Sequence, residues 1–128
     1  MDYENIIEYL VKNFPDIQEK LNEEEYLAGL PHCIFEIVLI PYVSGLCEMG
    51  AAGCLIRVGE LLEQMVECDD IKVKELVSVS FFEPIVLADE KMIPVLQEYL
   101  RPKSLEELRY RQNRYRKRVI ADGRAHED

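Results

Sequence analysis

The sequence predicts an all-α fold, built as one compact domain of about six to seven helices. Three observations predict it. First, 128 residues fit one domain, because domains cluster near about 100 to 150 residues. Second, apolar residues recur at helical spacing along most of the chain, and a hydrophobic content of 48% is ordinary for a globular core. Third, Pro15, Gly29, Gly50 and Pro102 fall between the periodic segments, where helices begin and end.

The first part of the chain predicts three helical elements. An apolar stripe with helical spacing covers residues 2–13, and Pro15 suits the first turn of a second helix that ends before Gly29. The stretch from Pro31 to Cys47 is almost wholly apolar, and its length favours a buried helix over a strand. Pro41 cannot continue an undisturbed helix, so we expect a kink or two short helices there.

The middle of the chain predicts two further helices. Residues 54–66 have the clearest helical periodicity in the sequence, with charged residues on the side opposite the apolar one. Asp69 or Asp70 then caps a fifth helix. Residues 77–81 alternate as a strand would, so residues 71–83 fit either structure, and the helical segments on both sides favour helix.

Two helices are expected in the last part of the chain. Asp89 precedes a short sixth helix, which Pro102 ends. Ser104 and Glu107 then form a capping box, which predicts that a seventh helix begins at Leu105. The apolar residues of that helix make a thin seam, formed by Leu105, Leu108, Tyr115 and Val119.

Charge is divided between two parts of the sequence. Residues 1–100 contain six basic and twenty acidic residues, a net charge of −14, whereas residues 101–128 have a net charge of +4. We therefore expect an acidic helical domain at residues 1–103 and a basic C-terminal helix with its tail at residues 104–128. Charge segregated in this way is typical of proteins that dock electrostatically with other macromolecules.

The acidic residues suggest a surface that binds a partner. Glu60, Glu63 and Glu67 fall at positions i, i+3 and i+7 of one predicted helix, which makes them a single negative ridge. Such a ridge faces either a basic partner or solvent, with the following aspartates as helix caps. The candidate binding residues are Glu60, Glu63, Glu67, Asp69 and Asp70, with Glu23, Glu24 and Glu25 as a second patch.

The final helix combines basic residues with tyrosines, a pattern that can contact phosphates and stack bases. Nucleic acid is nevertheless not expected as the main ligand, because an isoelectric point near 4.7 means that the body repels a phosphate backbone. The alternatives are docking on the acidic body, in the same or another copy of the chain, and a solvated helix. The residues concerned are Arg109, Arg111, Arg114, Tyr115, Arg116, Lys117 and Arg118.

Residues suited to catalysis or metal binding are scarce. The two histidines are His32, beside an apolar run, and His126, in the tail; neither has an obvious catalytic partner. Residues 50–53 lack the spacing of a phosphate-binding loop and predict a tight turn between helices. We therefore expect no enzyme activity, no metal and no cofactor. Four cysteines without zinc-site spacing predict reduced, buried thiols at Cys33, Cys47, Cys54 and Cys68.

The sequence also predicts a cytoplasmic protein without a membrane segment. Its acidic first residues differ from the basic start of a secretory signal. The most apolar stretch, Cys33 to Cys47, is interrupted by Glu36 and Pro41 and falls short of the roughly 18 to 20 apolar residues of a membrane span.

Three segments carry a resemblance to a known family. They are residues 31–42, the sequence DDIKVKELVSVSFFEP from Asp69 to Pro84, and YLRPKSL from Tyr99 to Leu105. Together they resemble small bacterial all-helical proteins that are largely catalogued as a domain of unknown function, with relatives encoded near polymorphic toxins. The resemblance implies a compact bundle similar to stacked helical-hairpin repeats, and an immunity role. It does not extend to the basic helix from Arg109 onward.

The leading hypothesis is therefore an immunity protein that binds and neutralises a basic toxin domain, in particular a nuclease. An acidic protein can occupy a nuclease groove because its carboxylates replace the phosphates of the substrate and steer the association. Two alternatives stay open. One is a non-enzymatic interaction module or homo-oligomeric scaffold, and the weaker one is an RNA-associated regulator that acts through Arg109 to Arg118.

Overall fold

A computed structural model describes the backbone of residues 1–121 and the side chains of residues 1–118. Within this part of the chain the fold is all-α, with seven continuous helices and no strand, which confirms the predicted fold class. The side chains of Val119 and His126 lie outside the described residues.

Some of the seven helices consist of more than one segment. The first two are α1 (Ile6–Asn13) and α2 (Ile17–Glu23), followed by a 3₁₀ turn (Glu25–Leu27). The first composite helix consists of α3 (Pro31–Ile34), a π-helical turn (Phe35–Leu39) and α4 (Ile40–Met49). Next comes α5 (Ala52–Val66). The second composite helix consists of α6 (Ile71–Val77), a π-helical turn (Ser78–Phe82) and α7 (Glu83–Ala88). A 3₁₀ turn (Glu90–Met92) leads into α8 (Ile93–Leu96), and α9 (Pro102–Ala121) follows.

Each composite helix contains a π-helical turn shortly before a proline. In the first, the Ile40 N–H donates to the Phe35 carbonyl five residues back, and Pro41 follows; the same order recurs before Pro84 in the second. Proline lacks an N–H and its ring crowds the preceding turn, so a widened turn lets the helix continue. The disturbance expected at Pro41 is therefore a change of helix type within one continuous helix.

The ambiguous segment of residues 71–83 is helical. Its strand-like alternation falls in and beside the second π-helical turn, where Ser80 is buried and Val79 is 43% exposed. An alternating strand would bury the valine and expose the serine. The wider π turn rotates these side chains relative to an α-helix, which explains why neither simple periodicity fits the sequence.

The core lies between the composite helices and α5. Its largest fully buried side chains include four phenylalanines, Phe14, Phe35, Phe81 and Phe82, and the last two meet edge to face at 5.4 Å between ring centroids. The buried stripe of α5 is the one that its periodicity predicted. Its members are Leu55, Val58, Leu61, Leu62 and Met65.

Helix α1 lies antiparallel to α5. Tyr9 on α1 donates its hydroxyl hydrogen bond to Gln64 at 2.7 Å, and the Arg57 guanidinium lies 5.9 Å from the centroid of the Phe14 ring. Residues later in α1 thus meet residues earlier in α5. Helix α5 turns back from the first composite helix through Gly50, whose φ of 63° is in the left-handed region that glycine adopts without strain. The turn predicted at residues 50–53 is therefore confirmed for Gly50 and Ala51, whereas Ala52 and Gly53 already belong to α5.

Helix α9 packs along α5 and α7, and the structure corrects its predicted start. Pro102 does not end the sixth helix, because α8 already ends at Leu96; it is the first residue of α9. That position suits proline, since the first N–H of a helix has no intrahelical acceptor. The face of α9 turned toward the body is one stripe of buried or half-buried residues, Ser104, Leu108, Arg111 and Tyr115.

The first composite helix is the one described helix that could cross a membrane by length and composition alone. It runs from Pro31 to Met49, 19 residues with a mean hydropathy of 1.4, and so extends beyond the Cys33–Cys47 stretch on which the sequence-based expectation was founded. The helix continues through Pro41, which sequence reasoning had treated as an interruption. In the fold it is a core helix, with Phe35, Val38 and Val43 buried.

Candidate docking site

One member of the predicted acidic ridge, Glu63, caps the last helix. Its Oε1 accepts hydrogen bonds from the Ser104 backbone N–H at 2.8 Å and from the Ser104 hydroxyl at 3.0 Å. Its Oε2 accepts from the Lys103 N–H at 3.1 Å. These two N–H groups belong to the first turn of α9 and have no acceptor within that helix. Glu63 therefore joins α5 to α9, and its negative charge complements the helix dipole.

The environment of Glu63 favours its charged form. Partial burial raises the pKa of Glu63, but the hydrogen bonds from Ser104 and Lys103 outweigh burial and hold the pKa below its ordinary value of 4.5. This arrangement replaces the predicted capping box. Ser104 lies inside α9 and is bonded to Glu63, while Glu107 accepts from Arg111 Nε at 3.2 Å instead of reaching back to Ser104.

Asp70 also has an internal role. Its Oδ1 accepts from the Lys72 N–H at 2.9 Å and caps α6, as the sequence predicted. Its Oδ2 accepts from the Tyr3 N–H at 2.9 Å, which ties the segment before α1 to the start of α6. The bond from Tyr3, followed by that from Lys72, holds the pKa of Asp70 below its ordinary value of 3.8.

The remaining ridge residues are exposed. Glu60 and Glu67 line a wide, shallow depression together with Glu63, Gln64, Arg101 and Pro102. Asp69 is exposed and does not line it. The depression has few apolar groups, and it already contains the positive charge of Arg101. The structure thus brings the three ridge glutamates together, but one of them is occupied by a helix cap.

The second predicted patch contains both paired and exposed carboxylates. Lys20 Nζ lies 3.2 Å from Glu24 and 3.6 Å from Glu23, each within one helical turn. The neighbouring Tyr26 hydroxyl, and after it Lys20, hold the pKa of Glu24 below its ordinary value. Glu25 is exposed, and no ion pair to it is found among the described residues.

A pocket of about 480 Å³ opens between α1, α2 and the segment leading into the first composite helix. Its interior is mainly apolar, and the side chains that form it include Tyr3, Ile7, Leu21, Leu27 and Ile34. Four carboxylates also line it. They are Glu4 and Glu8 from the α1 region, and Glu24 and Glu25 from the second patch.

Two large apolar side chains are exposed beside this pocket. Tyr26 is 69% exposed and Leu30 is 48% exposed, and both flank the pocket-lining stretch 27–29 in the sequence. Exposed aromatic and aliphatic groups next to a pocket are typical of protein-binding surfaces. We call this surface, formed by the pocket and these two residues, the α1–α2 pocket.

The chemistry of the α1–α2 pocket suits a basic segment that also has an apolar side chain to bury. The apolar interior can bury an aliphatic or aromatic side chain, while the carboxylates can pair with flanking arginines or lysines. Sequence reasoning identified Glu24 and Glu25 but missed Glu4 and Glu8. The spacing of Glu4 and Glu8, four residues apart on the polar side of the α1 stripe, could have identified them as neighbours. The sequence did not show, however, that α2 lies beside them.

The predicted basic residues of α9 divide into two groups. Arg111 is held against the body, with Nη1 2.9 Å from Glu83 Oε2 and Nε 3.2 Å from Glu107 Oε1. Arg111, Arg114, Tyr115 and Arg118 line a cavity between α9 and α7. The other predicted contacts, Arg109, Arg116 and Lys117, are exposed and do not line it. The basic helix therefore packs on the body of its own chain.

His32 and the cysteines have structural surroundings. His32 Nδ1 lies 2.6 Å from the Oγ of Ser80, which is buried, and this hydrogen bond links the two composite helices. The four cysteines are unpaired, and the predicted burial is correct only for Cys47, where desolvation raises the pKa of the thiol. Cys33, Cys54 and Cys68 are half-buried. No group of His, Cys, Asp and Glu in the described part of the chain is placed to hold a metal ion.

Fold and surface together define a small all-α domain with an acid-rimmed apolar pocket and a basic helix packed on its own body. The chain belongs to the family described as a domain of unknown function, DUF7674, whose model matches residues 7–117. The match includes most of α9, so the expectation that the basic helix from Arg109 onward lies outside the family is wrong. No curated protein and no solved structure matches the chain significantly.

Proposed function

We propose that this chain is a non-enzymatic protein-binding domain that receives a basic, amphipathic segment of another protein in the α1–α2 pocket. One observation carries the proposal: an apolar pocket lined by Glu4, Glu8, Glu24 and Glu25, with Tyr26 and Leu30 exposed beside it. A carboxylate group alone could be an ordinary solvated surface. Carboxylates around an apolar pocket offer a partner both charge pairing and a buried anchor.

The charge balance of the chain supports a basic partner. Residues 1–100 have a net charge of −14, and none of the residues described as lining the α1–α2 pocket belongs to the basic helix α9. The ion pairs from α9 to the body involve Arg111 and Glu83, which belong to the α7–α9 contact and not to the α1–α2 pocket. An acidic surface of this kind accelerates association with a basic partner through electrostatic steering.

The finer form of the proposal is that the partner is a toxin domain and that the chain is an immunity protein. Two things support it: the resemblance to proteins encoded near polymorphic toxins, and the suitability of an acidic surface for blocking a basic nuclease groove. A direct test is co-expression with a basic toxin domain encoded beside the gene. Wild-type protein should restore growth, and a variant with a reversed pocket charge should not. Growth restored by neither protein would contradict the finer form without affecting peptide binding. Growth restored equally by both would mean that the α1–α2 pocket is not the surface that blocks the toxin.

Binding of a model peptide tests the docking surface itself. The probe is a fluorescein-labelled helical peptide of leucine and arginine, and the matched peptide has glutamate in place of arginine. The wild-type protein should bind only the arginine peptide, and its dissociation constant should rise with ionic strength because salt screens exposed charges. An affinity that does not respond to salt would contradict electrostatic steering.

Two double variants identify which acidic surface binds. Glu8→Lys with Glu25→Lys alters the α1–α2 pocket, and Glu60→Lys with Glu67→Lys alters the ridge by the same net charge. All four positions are exposed, so neither variant should disturb folding. The pocket variant should weaken peptide binding by about tenfold or more, and the ridge variant by less than about threefold. An equal or larger loss in the ridge variant would move the binding site to α5.

A further inference from the structure

A second cavity, of about 250 Å³, lies between α7 and α9, and three of its seven described lining residues are arginines. Arg111, Arg114 and Arg118 contribute the positive charge, and Tyr115 lies on the same helix. Val86 and Leu87 of α7 supply apolar contacts. Glu83 is the one acidic residue among the described lining residues, and it pairs with Arg111.

Arg111 gives this cavity a fixed wall. Its guanidinium contacts Glu83 and Glu107 at 2.9 and 3.2 Å, and its side chain is only 16% exposed. Such a twofold contact holds the planar guanidinium in one orientation. Because two carboxylates already balance its charge, Arg111 positions the wall and is not the main ligand-binding group.

Arg114 has a different environment. It is exposed, and Nη1 donates to the Tyr110 hydroxyl at 3.1 Å. Among the described residues no carboxylate lies within ion-pair distance of it, and its i+4 neighbour is another arginine, Arg118, which lines the same cavity. Like charges at this spacing on a helix repel each other and destabilise it. An anion bound between Arg114 and Arg118 would therefore reduce this repulsion.

We propose that the α7–α9 cavity binds the phosphate group of a small phosphomonoester. Arginine guanidinium groups match the geometry of phosphate oxygens, and the apolar side chains of Val86 and Leu87 suit a short carbon skeleton. The volume is below the roughly 300 to 1,000 Å³ of pockets for larger organic ligands, which limits the ligand to a phosphate with a few attached atoms. A long nucleic acid fits less well, because the acidic body repels an extended phosphate backbone.

Calorimetric titration of the full chain with glycerol 3-phosphate, inorganic phosphate and glycerol tests this proposal. Glycerol 3-phosphate should bind and glycerol should not; weaker binding of inorganic phosphate would indicate that the carbon skeleton contributes. Arg114→Gln and Arg118→Gln should each weaken binding by about tenfold. The matched control is Arg116→Gln, an exposed arginine of the same helix that does not line the cavity, and it should change binding less than about twofold.

Three results would overturn the proposal. One is that glycerol 3-phosphate gives no more heat than glycerol at ligand concentrations up to about 10 mM. A dissociation constant above that concentration would be too weak for a specific site of this kind. Another is an equal loss of affinity in Arg116→Gln, since this would mean diffuse attraction to the whole helix. The third is that a short single-stranded oligonucleotide binds more tightly than the ester, and that Arg109→Gln and Arg114→Gln lower its affinity equally. This would indicate an extended nucleic-acid surface. Circular dichroism of each variant checks that α9 still folds.

Discussion

Two sets of carboxylates in this chain have different roles, although they are the same chemical group. Glu63 and Asp70 accept hydrogen bonds from backbone N–H groups and connect parts of the chain that are 41 and 67 residues apart in sequence. Glu8, Glu25, Glu60 and Glu67 are exposed on helices or turns. The net charge of −14 on residues 1–100 is therefore not a single binding surface. Part of it stabilises the fold, and only the exposed part is available to a partner.

The difference between the two sets was not visible in the sequence. Glu60, Glu63 and Glu67 lie on one side of α5, and helical spacing predicted this correctly. The role of Glu63 depends on the N-terminus of α9, which begins at Pro102. Local patterns predict helices because helices are local structures, whereas a cap supplied by a distant residue depends on how the helices pack. For the same reason, the large apolar residues of the α5 stripe were predicted, whereas of the α1–α2 pocket only the carboxylates Glu24 and Glu25 were identified.

The largest expected effect comes from Gly59→Ala, which should disrupt the contact that positions the capping carboxylate. Gly59 is buried on α5, and a Cβ there would collide with the backbone carbonyl of Tyr99 just before α9. The backbone must move, so we expect a loss of about 2–4 kcal/mol in the free energy of unfolding, measured with urea. Gly53→Ala is the control on the same helix, because nothing lies within 4 Å of its added Cβ. It should stabilise by up to about 1 kcal/mol, since alanine favours helix. An unchanged free energy of unfolding in Gly59→Ala would mean that α5 and the Tyr99 segment are not in close contact.

Removing the capping carboxylate should have the next largest effect. Glu63→Ala leaves the Lys103 and Ser104 N–H groups without their acceptor, which should lower the free energy of unfolding by about 1–2 kcal/mol. Glu60→Ala, one turn earlier on the same ridge, should change it by less than about 0.5 kcal/mol because Glu60 is exposed. Thermal and urea unfolding of both variants would show the difference. Equal effects would contradict the division into two sets of carboxylates.

A smaller effect is expected in the pH dependence of stability. The folded-state pKa values of Glu63 and Asp70 lie below their ordinary values of 4.5 and 3.8. Their contributions are therefore complete above those ordinary values and decline as the pH falls through the lower folded-state values. Glu63→Gln should lose part of this acid sensitivity below pH 4.5 and show a shallower decline than wild type, whereas Glu60→Gln should follow wild type. Urea unfolding at a series of pH values measures these slopes. Parallel curves for wild type and Glu63→Gln would contradict the assignment.

The most direct test of the account is to map where a basic partner binds. Amide chemical shifts of ¹⁵N-labelled protein would be followed during titration with the leucine–arginine peptide. The largest changes are expected around the α1–α2 pocket, at Ile7, Leu21 and Gly29, with smaller changes at Glu60 and Glu67. Changes centred on α5, or spread evenly over all exposed acidic residues, would contradict the claim that the pocket is the docking site.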